Sequence, residues 1–321
     1  MTVEFIRGLE NLPPRADREA VVTVGTFDGM HRGHQEILAR VRAECESSGQ
    51  QPVLVTFHPH PRVVVSPQDA PLLLTTIEEK EKFIPHFFQG RVVILNFDRA
   101  LQNMSPDEFV RGVLIDRLGL KKLVVGYDHT LGKNRRGNTE ELTRLGRRYG
   151  FEVEVVGPVM NGNKPVSSSR IRAAIAGGDY REAIALLGHD YAIYGTVIKG
   201  IGLGRKLGFP TANIRYNRSK LLPAHGVYAC WVQMDGVEKN GMMFVGRNHF
   251  RHDDAVSVEV NIFEFDREIY DEEIIVYPTH FVRENKKYDS TDELAEQLKA
   301  DRENVMDIIE RKKKNVDLKG A

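Results

Sequence analysis

Five short runs of β-branched and aliphatic residues punctuate the first half of the chain, and helical patterns lie between them. The runs occupy positions 21–24, 53–57, 92–95, 123–125 and 153–156. Apolar runs without polar alternation suit strands buried on both faces, and strands alternating with helices suit a parallel sheet. Caps mark the helix starts. Ser105-Pro106-Asp107-Glu108 joins a capping box to a proline at the first helical position. Asn138-Thr139-Glu140-Glu141 and Asp179-Tyr180-Arg181-Glu182 follow the same logic. The expectation is an α/β domain with a doubly wound parallel sheet, in which ligands lie at the carboxyl ends of strands.

The pattern changes near Gly188-His189-Asp190. Strands are expected at 194–199 and 227–234, and at Val256-Ser257-Val258-Glu259-Val260-Asn261-Ile262. The period of two in that last segment puts the valines and Ile262 on one face and Ser257, Glu259 and Asn261 on the other. Glycine- and proline-rich turns separate these strands, which reads as a small antiparallel barrel or sandwich. Ser290-Thr291-Asp292-Glu293 then caps a C-terminal helical stretch ending in Arg311-Lys312-Lys313-Lys314, the solvated basic end of a helix. With 321 residues, the chain divides into an expected first domain of 1–188 and a second of 189–321.

The first run leads into Gly25-Thr26-Phe27-Asp28-Gly29-Met30-His31-Arg32-Gly33-His34, a strand, a glycine turn and a helix start. The glycines permit a sharp turn and close approach to a ligand. His31 and His34, three apart, share one face of the helix start. A helix N-terminus offers unpaired N–H groups and partial positive charge, which suit phosphate, and imidazoles there can donate to a phosphate gaining charge. The competing readings are a solvated turn or a zinc site, and zinc requires three or four convergent ligands.

Charge excludes other classes. Lys and Arg number 45, as do Asp and Glu, so no broad nucleic-acid-binding surface is expected. Cys45 and Cys230 lie far apart with no CxxC spacing, which speaks against a disulfide framework and fits a reducing cytoplasm. No apolar run approaches the length of a membrane span, and residues 1–7 carry no leader-like apolar region.

Three more segments fall where a parallel sheet would gather them. Thr56-Phe57-His58-Pro59-His60-Pro61-Arg62 follows the second run. Gly126-Tyr127-Asp128-His129-Thr130-Leu131-Gly132-Lys133-Asn134-Arg135-Arg136-Gly137-Asn138 follows the fourth. Val166-Ser167-Ser168-Ser169-Arg170-Ile171-Arg172 starts a helix after the fifth. Ser167, Ser168 and Ser169 offer hydroxyl and backbone donors, and Arg170 a forked cation.

Together these motifs resemble the nucleotidyltransferases with a HIGH-type motif, and most closely the FMN adenylyltransferase module of bacterial FAD synthetases. The resemblance implies that an FMN phosphate oxygen attacks the α-phosphorus of ATP and pyrophosphate leaves. It assigns His31, His34 and Arg170 to phosphate charge. Gly25, Phe27, Asp28, Gly29 and Gly33 join Ser167, Ser168 and Ser169 as nucleotide contacts. His60, Pro61, Asp128 and Gly132 become flavin contacts. His129 and Leu131 stand where the family usually has aromatics.

Gly195-Thr196-Val197-Ile198-Lys199-Gly200-Ile201-Gly202-Leu203-Gly204-Arg205-Lys206-Leu207-Gly208-Phe209-Pro210-Thr211-Ala212-Asn213 forms a second glycine-rich loop, and its Leu-Gly-Phe-Pro-Thr-Ala-Asn end resembles riboflavin kinases. Gly226-Val227-Tyr228-Ala229, Val258-Glu259-Val260 and the stretch from Phe281-Val282-Arg283 to Tyr288 match in order. The resemblance implies that Glu259 is the general base for the riboflavin hydroxyl. Gly204, Arg205, Thr211 and Asn213 would then bind nucleotide, with Thr211 and Asn213 serving the Mg2+ that accompanies ATP. Tyr228 and Arg283 would contact flavin. The implied partners are ATP, riboflavin and FMN, with no nucleic acid or membrane. Leu203 and residues 244–250 depart from the family pattern, which keeps open an adenylyltransferase whose barrel only binds flavin or regulates.

Overall fold

The computed structural model describes residues 3–13, 18–132, 136–247 and 256–317, with side chains to residue 311. Lys133, Asn134, Arg135, Asn248, His249 and Phe250, and the side chains of Lys312, Lys313 and Lys314, lie outside the described residues. Two units are distinguished, Met1–Ser168 and Ser169–Ala321.

In the first unit, six parallel strands lie in the order β1-β4-β3-β2-β5-β6. They are β1 (Glu4–Arg7), β2 (Ala20–Val24), β3 (Gln51–His58), β4 (Arg91–Asn96), β5 (Leu120–Gly126) and β6 (Glu152–Val156). The five apolar runs became β2 to β6. The sequence reading missed β1, whose two apolar residues form an edge strand against β4. Helices follow the strands: α1 (Arg32–Ser48), α2 (Pro61–Val65), α3 (Ile77–Phe87), α4 (Arg99–Asn103), α5 (Pro106–Phe109) and α6 (Thr139–Tyr149).

Alternate strand residues feed two separate cores. Val22, Val24, Val53, Val55 and Val125 pack with Phe109, Leu142 and Leu145. Val21, Leu54, Val92, Ile94 and Val124 pack with Leu38 and Val41 of α1 and with Ile77 and Ile84 of α3. Strands with two buried faces therefore read as unbroken apolar runs. The chain winds outward from β2 through β3 to β4, then returns to place β5 on the other side of β2. That reversal between β2 and β5 is a topological switch point, where the connections diverge and leave a crevice at the strand ends. The short hairpin β7 (Met160–Asn161) and β8 (Lys164–Pro165) follows β6.

In the second unit, α7 (Ser168–Ala176, whose first residue belongs to the first unit) and α8 (Tyr180–Leu187) precede a closed barrel. Its strands are β9 (Ile193–Ile198), β10 (Ala212–Tyr216), β11 (Gly226–Met234), β12 (Val237–Arg247), β13 (Val256–Ile262) and β14 (Glu273–Glu284). All neighbours are antiparallel, in the order β10-β13-β12-β11-β14-β9, with β10 closing on β9. The short helix α9 (Leu203–Lys206) lies in the β9–β10 connection, and α10 (Thr291–Asp317) follows β14. Packing of Leu298, Val305, Ile308 and Ile309 against Ala229, Met242 and Phe263 sets α10 on the outside of the barrel. Among the described residues, no helix is long and apolar enough to cross a membrane.

Candidate active sites

The β2–α1 turn lies at the switch point. Gly25 N donates to Val55 O at 3.0 Å, so the chain leaves the sheet still tied to β3. Phe27, Gly29 and Met30 then take positive φ of 46°, 91° and 43°. Only glycine does this without strain, and two large residues held there require strong local support. The segment before α3 supplies it. Gly29 N donates to Thr75 Oγ1 and Thr75 N donates to Asp28 Oδ1, each at 2.9 Å. Asp28 is only 1% exposed. Its carboxylate holds the turn, while its carbonyl accepts from Ser168 Oγ at 3.0 Å.

His31 caps α1, and its Nδ1 accepts from His34 N at 3.3 Å. With Nδ1 accepting, the proton of a neutral ring lies on Nε2, which makes that edge the donor. The two imidazoles stack with centroids 3.6 Å apart and 15° between planes. Burial first, then the charges of His31 and Lys80, push the His34 pKa well below its ordinary value. His34 is thus neutral at neutral pH, and its Nδ1 has no partner among the described residues.

Gly126 ends β5, beside β2, and a Cβ built there would meet Ile37 of α1 at 3.4 Å and Asp128 Oδ1 at 3.5 Å. The loop carrying Asp128 therefore flanks the helix that carries the histidines. Asp128 is exposed. Burial holds His129 neutral by lowering its pKa to about 4, and its Nε2 is unpartnered among the described residues. Gly132, at φ 71°, packs against Pro106. His60 caps α2 by accepting from Arg62 N at 3.2 Å, with Pro61 at the first helical position. Ser167 is half-buried and Ser169 exposed. Arg170 is ion-paired with Glu182 inside the second unit.

The second site is a cavity on the outer face of the barrel. Glu259 on β13 pairs with Phe244 of β12 and Asn213 of β10, so the three side chains share one face. Its Oε1 accepts from Ser257 Oγ at 3.2 Å and its Oε2 from Thr211 Oγ1 at 3.4 Å. The sequence reading separated the Ser257-Glu259-Asn261 face from the apolar one. In the barrel this polar face is walled in, with Ser257 8% and Asn261 4% exposed. The α9 loop through Leu203 and Gly204, and α10 through Leu294 and Leu298, complete the wall.

Gly204 has no room for a side chain, since a Cβ would lie 2.4 Å from Phe209 O. Arg283 lines the cavity and is clamped by Asp301 of α10 through Nε–Oδ1 at 2.8 Å and Nη2–Oδ2 at 2.6 Å. Asp301 is fully buried and had no sequence signal beyond its place in a charged helix. Tyr228 points elsewhere: its hydroxyl donates to Ala224 O, and its ring lies against Tyr180 and Phe281. Arg205 is not in the cavity wall and forms an exposed pair with Glu268 at 3.2 Å. The hydroxyl of Thr211, the amide of Asn213 and the carboxylate of Glu259 make an oxygen-only set, the chemistry that suits a hard cation arriving with a nucleotide. Among the described residues, no cluster of three or more His, Cys, Asp or Glu could hold a metal by itself.

A glycine turn opening on a helix N-terminus at a switch point, and a walled cavity with a strand carboxylate, give the molecule two candidate centres. A family model described as FAD synthetase matches residues 14–170, and one described as riboflavin kinase matches 187–309. A bifunctional riboflavin kinase/FMN adenylyltransferase of Listeria monocytogenes is 36% identical, over 90% of this chain and 92% of its own length. The protein of that description from Pseudomonas fluorescens is 36% identical over 93% of this chain and 96% of its own. A crystal structure from Streptococcus pneumoniae described as a macrolide-efflux protein superposes with a TM-score of 0.83 at 30% identity, covering 95% of this chain and 99% of that one. The chain belongs to the family of bifunctional riboflavin kinase/FMN adenylyltransferases.

Proposed function

We propose that this chain phosphorylates riboflavin with ATP to give FMN in its second domain, 189–321, and adenylylates FMN with ATP to give FAD and pyrophosphate in its first, 1–188. The observation that carries the reading is the match of both family models, in order, along one chain.

In the first reaction, the ribityl hydroxyl of riboflavin attacks the γ-phosphorus of ATP and ADP leaves. A hydroxyl is a weak nucleophile and must give up a proton. Glu259 is the base, oriented by the hydroxyls of Ser257 and Thr211. Thr211 and Asn213 would hold the Mg2+ that travels with ATP, and that ion neutralises phosphate charge when bound. Gly204 lets the loop backbone approach the phosphates. Arg283, held by Asp301, borders the flavin, and Arg205 and Tyr228 enter this assignment on their motifs.

In the second reaction, an FMN phosphate oxygen bonds to the α-phosphorus of ATP as the bond to the pyrophosphate oxygen breaks. The attacking oxygen is already anionic, so no base is needed. What remains is placement and stabilisation of charge. His31 and His34 donate to the phosphates at the α1 N-terminus, with Gly25, Phe27, Gly29 and Gly33 shaping the turn and Asp28 holding it. Ser167, Ser168, Ser169 and Arg170 enter as phosphate contacts on their motif. His60, Pro61, Asp128 and Gly132 border the flavin. ATP, riboflavin and FMN are the partners, and the two unpaired cysteines fit work in the cytoplasm.

The test is chromatography of flavins after incubating pure protein with ATP, Mg2+ and either riboflavin or FMN. FMN and FAD should form from riboflavin, and FAD from FMN. FAD from FMN with riboflavin untouched would reduce the barrel to a binding module. No product from either, in folded protein, would overturn the reading.

A further inference from the structure

Neither reaction as described uses Lys80. This residue lies on α3, is 5% exposed, and points under the β2–α1 turn. Its Nζ donates to Thr26 O at 2.5 Å and reaches Thr56 Oγ1 at 3.5 Å. Thr56 Oγ1 itself donates to Thr26 O at 3.2 Å, so one carbonyl of the turn is gripped from two elements. An ammonium has three N–H groups, and at least one of them has no acceptor among the described residues. Nor does Lys80 form an ion pair there. Asp28 lies close enough to favour its charge, but the Asp28 carboxylate is engaged by Thr75 N.

The other ionisable groups within reach of its charge are His34 at the start of α1 and His58 at the end of β3, and Glu79 is its neighbour on α3. Glu79 is committed to the capping box with Thr76. A neutral amide would hold the Thr26 carbonyl without burying a charge, and burial of a charge lacking a counterion is costly. A cation kept in such a place fits a site that receives an anion. The open side of this turn is the α1 N-terminus.

We infer that Lys80 is a positioning residue of the adenylyltransferase site: its ammonium fixes the Thr26 carbonyl, and its charge acts through the glycine turn to strengthen binding of the ATP phosphates. The inference rests on the reading of the first site as an ATP site. Burial lowers the Lys80 pKa to about 8, so the charge is present at neutral pH and fades as pH rises past that value.

The test uses the full chain, FMN, Mg2+ and ATP, with Lys80→Gln and Lys80→Met. Gln keeps a donor for Thr26 and loses the charge; Met loses both. Both variants should lower kcat/KM for ATP in FAD formation at least about tenfold, mainly through KM. Both should keep riboflavin phosphorylation, and neither should melt below wild type. In the wild type, kcat/KM for ATP reports the free enzyme and should fall above about pH 8; in Lys80→Gln that break should vanish. Wild-type KM values in Lys80→Gln would overturn the charge role, whatever Lys80→Met does. Lower melting temperatures with unchanged KM would mark a strut. If the wild type itself made no FAD, the reading of the site would fail, and Lys80 with it.

Discussion

At the end of β2, the groups around the turn are two stacked imidazoles, a helix N-terminus and a buried lysine. On β13, the central group is one carboxylate with two hydroxyls against it. Both sites are assigned to ATP, so the difference follows from the acceptor. A phosphate oxygen arrives charged, and its site needs donors and positive charge rather than a base. A sugar hydroxyl arrives neutral, and its site needs somewhere to put a proton. The folds differ accordingly. A parallel sheet delivers loops and helix N-termini to one edge, whereas an antiparallel barrel delivers side chains from the middle of a strand.

The comparison breaks most readily at Glu259. Glu259→Gln keeps the size of the side chain and one acceptor oxygen but removes the base. FMN formation should fall by about 10²–10⁴ while FAD formation from supplied FMN is unchanged. Normal riboflavin turnover in that variant would remove Glu259 from the mechanism. His31→Ala is the mirror experiment. FAD formation should fall by about 10²–10³ with riboflavin phosphorylation intact, and equal loss of both activities in folded protein would refute two separate centres.

A third contrast concerns buried charge. Asp301 is fully buried and paired, so Asp301→Ala leaves Arg283 without its partner and should destabilise the second unit by about 3 kcal/mol in denaturant melts. Lys80→Met removes a buried charge with no ion pair among the described residues and should melt no lower than wild type. The smallest effect is expected at Gly204→Ala, where the new methyl meets Phe209 O. Displacement of the loop should raise the kinase KM for ATP by about tenfold, with little change in FAD formation.

The parts of the molecule readable in its sequence are those set by local physics. Ser105, Asn138 and Asp179 cap the helices they were expected to cap. The runs in β2 to β5 fit strands covered on both faces, while β6 is a partly exposed edge strand whose Val153 and Val156 pack on opposite cores. Strand order was not readable, since it depends on which crossovers pack together. Nor were β12 and β14 assigned. β12 carries apolar residues on both faces at Met242, Met243, Phe244 and Val245, and β14 contains Pro278 near a shift in its register with β11.

Lys80 was hidden in Glu78-Glu79-Lys80-Glu81-Lys82, which resembles a solvated face. A signal existed all the same. Lys80 falls three residues after Ile77 and four before Ile84, on the stripe that α3 buries. The glycine turn was legible as a turn. What braces it, Thr75 and Lys80 from some fifty residues away, was not.

Phe27 and Met30 carry a consequence for how such an enzyme can change over generations. Their backbones favour glycine, while their side chains, 1% and 0% exposed, fill the core beneath the turn. A change to glycine would relax the backbone by about 1 kcal/mol and open a hole costing about 3–5 kcal/mol. Smaller apolar residues lose packing and keep the strain. Neither position has an easy single-step neighbour in sequence space, so drift in nucleotide or acceptor preference would have to enter through the loops after β3 and β5 while this turn stays as it is.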